Sequence, residues 1–187
     1  KDCTHIMSGL RVVKENQEID RLRQSALVAD IGIKAAIEAV KPGTSESRIA
    51  AEAEYAMRYA GAEGFWRTYV SSGSRTGIAH GLPTNRKLES GDLVMIDVHP
   101  VVDGYSSDVC RTVCVGKPSI EQQSAYDVYL KAQQATVAKA RAGVGMVELG
   151  ETMHGIMKNE GHGEHIFGPP IHGIGIDFEE SPLPPGH

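Results

Sequence analysis

The sequence predicts an α+β protein: helices packed on a curved antiparallel sheet, with the whole unit duplicated along the chain. Three observations carry that expectation. Residues 15–40 show a helical apolar period and residues 119–141 open on a helix-capping pair, and each stretch ends in a glycine-containing break. Each is followed by a second helical stretch that stops at a glycine, Gly61 or Gly161, and then by an apolar, strand-like run. Residues 93–112, "LVMIDVHPVVDGYSSDVCRT", form two apolar stretches about Asp103-Gly104, a turn pair suited to a hairpin.

Taken in order, residues 1–9 lack periodicity and read as a tail or cloning scar, which leaves residues 10–187 as one domain. The first helix spans Glu15 to Val40, with Ile19, Leu22, Ala26, Ile33, Ile37 and Val40 near one face. Pro42-Gly43 stops it, and Thr44-Ser45 can cap a second helix running to Gly61. "FWRTYVSSG", residues 65–73, is strand-like, and a loop, "SRTGIAHGLPTNRKLESGD", leads into the hairpin. After Gly116-Lys117-Pro118, Ser119 and Gln122 make a capping box for a helix to about Arg141. "AGVG" breaks it, Val147 to Glu160 forms another helix, and "IHGIGIDF" follows as a strand. The halves register at an offset of 100 residues: Gly43 falls on Gly143, Met57 on Met157, Gly61 on Gly161, and Phe65 near Phe167. The second copy stops at His187, where its own hairpin is due, so the second half reads as truncated.

Composition narrows the class. Of 187 residues, 41% are hydrophobic and 23% charged, the balance of a globular domain with a real core. A net charge of -5 without a basic run gives no reason to expect nucleic acid or an anionic membrane as partner, and no apolar run approaches the ~20 residues of a membrane span. Three cysteines suit a reducing, cytoplasmic compartment better than a disulfide framework. Cys110 and Cys114 on one strand would lie ~13 Å apart, beyond disulfide reach, and read as buried thiols.

Aspartate is disfavoured in strands, and burying it without a partner is costly, so Asp97 and Asp108 need an explanation. A two-residue turn sets residue 97 opposite 110 and 99 opposite 108. Asp97 and Asp108 then become diagonal neighbours on one face, ~7–8 Å apart at the backbone. Two carboxylates that close repel unless a proton or cation lies between them. The alternative, two solvated acids on an edge hairpin, sits badly with the apolar neighbours of Asp97. His172, in a glycine-punctuated apolar run, offers an imidazole; alone it would pass for a core histidine. Carboxylates with one imidazole suit Mn²⁺, Co²⁺, Fe²⁺ or Zn²⁺.

"HGLPTNRKLESGDLVMIDVHPVVDGYSSDVCRT" followed by "IHGIGIDFEESP" resembles the pita-bread metallopeptidases, above all the Xaa-Pro dipeptidases (prolidases) and aminopeptidase P. "RVVKENQEIDRLRQSALVAD" is similar to the first helix of their catalytic domain. The resemblance implies a metal-dependent hydrolase that cleaves peptide or related amide bonds through a hydroxide held by two divalent ions, manganese first among the candidates. It implies Asp97, Asp108 and His172 as metal ligands and His80 as the catalytic histidine that contacts the substrate. It also implies a small peptide or amide as substrate and a homodimer as the complete assembly. Two further glutamate ligands of the family would fall beyond residue 187. Glu179 stands where relatives carry a second active-site histidine, which makes it a substrate-binding position and argues against simple Xaa-Pro dipeptides. Two rivals stay open: a creatinase- or ectoine-hydrolase-like amidohydrolase on the same scaffold, and a non-catalytic peptide-binding module.

Overall fold

A computed structural model describes residues 3–165 and 171–183. The chain divides into two compact units, Lys1–Pro118 with Ile174–Phe178, and Ser119–Gly173 with Glu179–His187.

The first unit begins with α1 (Thr4–Val12), a helix in a stretch whose sequence lacks apolar periodicity. It continues with α2 (Asn16–Ala39), α3 (Glu46–Tyr59), β1 (Gly64–Ser72), β2 (Leu93–Val102), β3 (Tyr105–Ser106) and β4 (Val109–Cys114). Glu15 opens α2 through a reciprocal capping box with Glu18, and Ser45 caps α3 by accepting a hydrogen bond from the Arg48 amide. Asp103 (φ 49°) and Gly104 (φ 78°) form the two-residue turn after β2, the left-handed pair such hairpins need.

The sheet is antiparallel, with β2 between β1 on one side and β3 and β4 on the other. Val94, Ile96 and Val98 of β2 point to the helices and join Val28, Ala29, Ile33, Ile49, Ala53 and Met57 in one core. Asp97 and His99 point to the opposite face.

α2 buries a face turned slightly from the expected one, with Ile33 buried as expected and Ile19, Leu22, Ala26 and Val40 half-buried. Ser25, Val28, Ala29, Gly32, Ile33 and Ala36 are buried, whereas Ile37 is exposed. The reason is proximity: a Cβ on Gly32 would lie 2.7 Å from Met57 Sδ. The helix pair approaches through small residues, so residue size decides the face.

β2 carries Pro100 although it is the central strand, and both ladders yield there. Towards β1 the register runs Phe65↔Pro100 and then Thr68↔Val98, so Trp66 and Arg67 together oppose His99 in a β-bulge. On the other side β3 ends at Ser106 and β4 resumes at Val109 with the same pairing sum. Ser107 N–H donates both to the Pro100 carbonyl at 3.3 Å and to Ser25 Oγ at 2.9 Å, tying the gap to α2.

Two further expectations fail. Cys110 is exposed and Cys114 half-buried, both free, because β4 is the outer strand of the sheet. "IHGIGIDF" is not a strand: residues 175–179 bend, and a single bridge links Gly173 to Glu180. Its backbone makes local bonds, Glu180 N–H to Gly173 O at 3.0 Å and Gly175 N–H to Asp177 O at 3.0 Å, while the Gly175 carbonyl accepts from Ser106 N–H of β3 at 2.7 Å. Phe167 and Gly168 lie outside the described residues.

The second unit holds α4 (Ile120–Lys139), opened by the Ser119–Gln122 capping box, and α5 (Met146–Asn159). Its core is Ala132, Met153 and Met157. Among the described residues no helix is long and apolar enough to cross a membrane.

Candidate metal centre

The loop carrying His80 is fastened from below. Glu46, buried at the start of α3, accepts hydrogen bonds from Ser72 N (2.8 Å) and Oγ (2.7 Å) and from Thr84 N (3.0 Å) and Oγ1 (2.6 Å). Burial pushes the Glu46 carboxyl up, but these donors and Arg75 outweigh it and hold its pKa below the ordinary value. Arg86 grips Asp92 with two hydrogen bonds, 2.6 and 3.1 Å, across the same loop. Gly81 allows the loop against β1, since a Cβ there would come 2.9 Å from Ser71 Cβ. His80, exposed at the rim, stacks on Tyr69 with ring centroids 5.0 Å apart.

Tyr69 is the β1 partner of Asp97, and Cys110 is its β4 partner. The pairing derived from the turn is therefore the observed one, and it sets Asp97, His99 and Asp108 on one face. Donor atoms of these three side chains lie within 4.8 Å of one another, a group that could hold a metal ion. His99 Nε2 is 3.5 Å from Asp97 Oδ1 and 3.5 Å from Asp108 Oδ1. Its Nδ1 lies 2.9 Å from the Arg67 carbonyl, which the bulge sets opposite His99. The imidazole is 1% exposed and wedged between Tyr69 (5.7 Å) and Phe178 (4.9 Å), both meeting it edge-on.

The electrostatics are those of a site that wants a cation. Burial raises the Asp97 carboxyl to about 6; the Asp108 charge adds to this, while His99 and His80 pull the other way. Burial would depress His99, yet Asp108, Asp97 and the Arg67 carbonyl together hold its pKa above the ordinary value. Asp97 Oδ1 is buried with no hydrogen-bond partner. A buried carboxylate oxygen left without a donor is expensive, and a bound cation removes that cost.

Asp97 and Asp108 are thus brought together, with His80 near enough to bear on the Asp97 charge. His172 and Glu179 belong to the second unit, where His172 Nε2 lies 3.9 Å from Glu179 Oε1. The motifs alone assign His99 no role, although the same pairing sum sets it opposite Asp108. The Asp-x-His spacing on a strand was the available signal, because residues two apart share a face.

Over 183 residues the chain is 34% identical to the Xaa-Pro dipeptidase of Pyrococcus furiosus, covering 97% of this chain and 53% of that protein. The prolidase structure from Pyrococcus furiosus matches with a TM-score of 0.94 at 34% identity, over 97% of this chain and 54% of that one. The X-Pro aminopeptidase structure from Thermotoga maritima matches with a TM-score of 0.90 at 32% identity, over 95% and 51%. The chain spans about half the length of the curated relatives it matches. Its helices and antiparallel sheet are those of the pita-bread fold of the prolidases. Residues 20–187 match the metallopeptidase family M24, and the chain belongs to that family.

Proposed function

We propose that the protein carrying this chain is a metal-dependent hydrolase of small peptides or related amides, built like an Xaa-Pro dipeptidase. The observation that carries the reading is the buried Asp97 Oδ1, which lacks a hydrogen-bond donor and is grouped with His99 and Asp108 donor atoms within 4.8 Å. Asp97 and Asp108 hold the metal, and the family resemblance adds His172 as a further ligand. Two divalent ions, manganese first among the candidates, would supply water activation and polarise the scissile carbonyl. His80, oriented by its stack on Tyr69, donates a hydrogen bond to the reacting carbonyl group of the substrate. Tyr69 and Phe178 hold the His99 ring in place beside the two carboxylates.

Glu179 shapes the substrate preference. Its carboxylate beside His172 adds negative charge where relatives carry an imidazole, which disfavours acidic groups on the substrate. The expected profile is weak or absent cleavage of simple Xaa-Pro dipeptides and better turnover of another, cationic amide. Elemental analysis with a panel of dipeptides and amides tests both parts. Metal-dependent hydrolysis with poor turnover of Ala-Pro and Met-Pro supports the reading. Prolidase-level cleavage of those dipeptides would overturn the role of Glu179, and absence of metal-dependent hydrolysis would overturn the whole.

A further inference from the structure

We infer that His99 is itself a metal ligand, binding through Nε2 on the same ion as Asp97 and Asp108. This deepens the proposed function and rests on its metal-dependent reading.

The first argument is the tautomer. The backbone carbonyl of Arg67 can only accept, so the 2.9 Å contact places the proton on Nδ1. With a metal in place of the Nε2 proton, the Nε2 lone pair would be turned to an ion shared with the two carboxylates. A ligating histidine commonly donates its other ring N–H to a carbonyl or carboxylate, which fixes the tautomer and the ring plane. Here the donor interaction follows from the fold: the bulge of Trp66 and Arg67 opposite His99 brings the Arg67 carbonyl to Nδ1.

The second argument is distance. First-row ions sit about 2.0–2.1 Å from nitrogen and oxygen donors, so tetrahedral donors lie about 3.4 Å apart. His99 Nε2 stands 3.5 Å from an oxygen of each aspartate, long for a hydrogen bond and right for two donors around one ion. The third is confinement. At 1% exposure between Tyr69 and Phe178 the ring cannot swing out to water, so the arrangement is built in.

The consequence concerns metal choice. Carboxylates alone suit Mn²⁺, whereas an added imidazole favours Co²⁺, Fe²⁺ or Zn²⁺. His99 should therefore matter more for cobalt than for manganese.

Cobalt titration of the metal-free protein, followed by visible absorption and chelator competition, tests this. His99→Phe keeps a ring between Tyr69 and Phe178 but removes the nitrogen. It is expected to weaken cobalt binding by more than ~100-fold, beyond the ~10–100-fold typical of losing an outer-shell partner, and to change the absorption bands of any residual complex. Manganese affinity should fall less. Asp108→Asn separates the two levels of the argument. If it leaves cobalt bound, the metal reading fails and takes this inference with it. If it abolishes binding while His99→Phe keeps wild-type affinity and bands, His99 is no ligand and only this inference falls. Should His99→Phe misfold, NMR of the histidine nitrogens in the wild-type protein decides. Zinc is expected to shift the His99 Nε2 resonance, and an unmoved resonance overturns the assignment.

Discussion

The two helix pairs, α2–α3 and α4–α5, use the same backbone bonds one hundred residues apart and achieve different degrees of burial. Ile49 N–H donates to Ser45 O, and Leu149 N–H to Gly145 O. Gly61 N–H donates to Arg58 O, and Gly161 N–H to Lys158 O; Ala62 N–H and His162 N–H both reach back to the carbonyl of a methionine, Met57 or Met157. Gly43 and Gly143 take the same left-handed conformation, φ 83° and 91°. Yet α2 and α3 pack on a sheet and share a core with it, whereas the described residues of the second unit contain no strand. There Tyr129, Leu130 and Val137 of α4 are exposed. Local hydrogen bonds and glycine breaks thus make a helix pair, while a core requires a second layer to bury its apolar face.

The chemistry follows the sheet, and the largest expected effect lies there. Asp108→Asn should abolish activity and stoichiometric metal with the fold intact. Elemental analysis and circular dichroism check this, and unchanged metal content would sink the assignment. With His80 acting on the substrate and not on the ion, as proposed, His80→Ala should lower turnover by ~10²–10⁴ with metal retained. If the variant loses metal instead, His80 belongs to the ion and not to the substrate.

The helix contact itself can be tested in parallel. Gly32 and Ala132 occupy equivalent positions, yet the Gly32 site has no room for a Cβ beside Met57. Gly32→Ala should destabilise the first unit by about 1–3 kcal/mol through overpacking. Ala132→Gly should cost about 1 kcal/mol through lost helix propensity. Urea denaturation measures both, and a stabilised Gly32→Ala would show that Met57 yields to a Cβ and that α2 and α3 are loosely apposed.

Most pH-dependent is the effect of Asp97 on stability. Its folded pKa is raised to about 6 against an ordinary 3.8, so the neutral acid is the form that suits the fold. The stability it contributes is complete below about pH 4 and is lost as pH rises through 6. Metal-free Asp97→Asn should therefore be more stable than wild type at pH 8, by up to roughly 3 kcal/mol, with the gap closing towards pH 4. Thermal denaturation across that range checks it, and a pH-independent gap would rule out ionisation of the buried Asp97 carboxyl as the cause.

Much of this was legible from residues alone because it depends on near neighbours. The capping box at Ser119, the turn at Asp103-Gly104 and the parity that brings Asp97 to the side of Asp108 each rest on a few consecutive residues and a fixed period. So did the repeat, whose glycines recur because the same left-handed positions recur. What only the tertiary structure decided depends on partners distant in sequence. The buried face of α2 was set by the approach of Met57 to Gly32 and not by the position of the largest apolar side chains. The run at 171–178 has strand composition but bends, bonding partly to itself and, through the Gly175 carbonyl, to Ser106 N–H of β3. His99 became part of the site only once the bulge of Trp66 and Arg67 had brought the Arg67 carbonyl to its Nδ1. Periodicity states which side of a strand a residue faces; what it meets there depends on the register of the neighbouring strand, and one bulge resets that register.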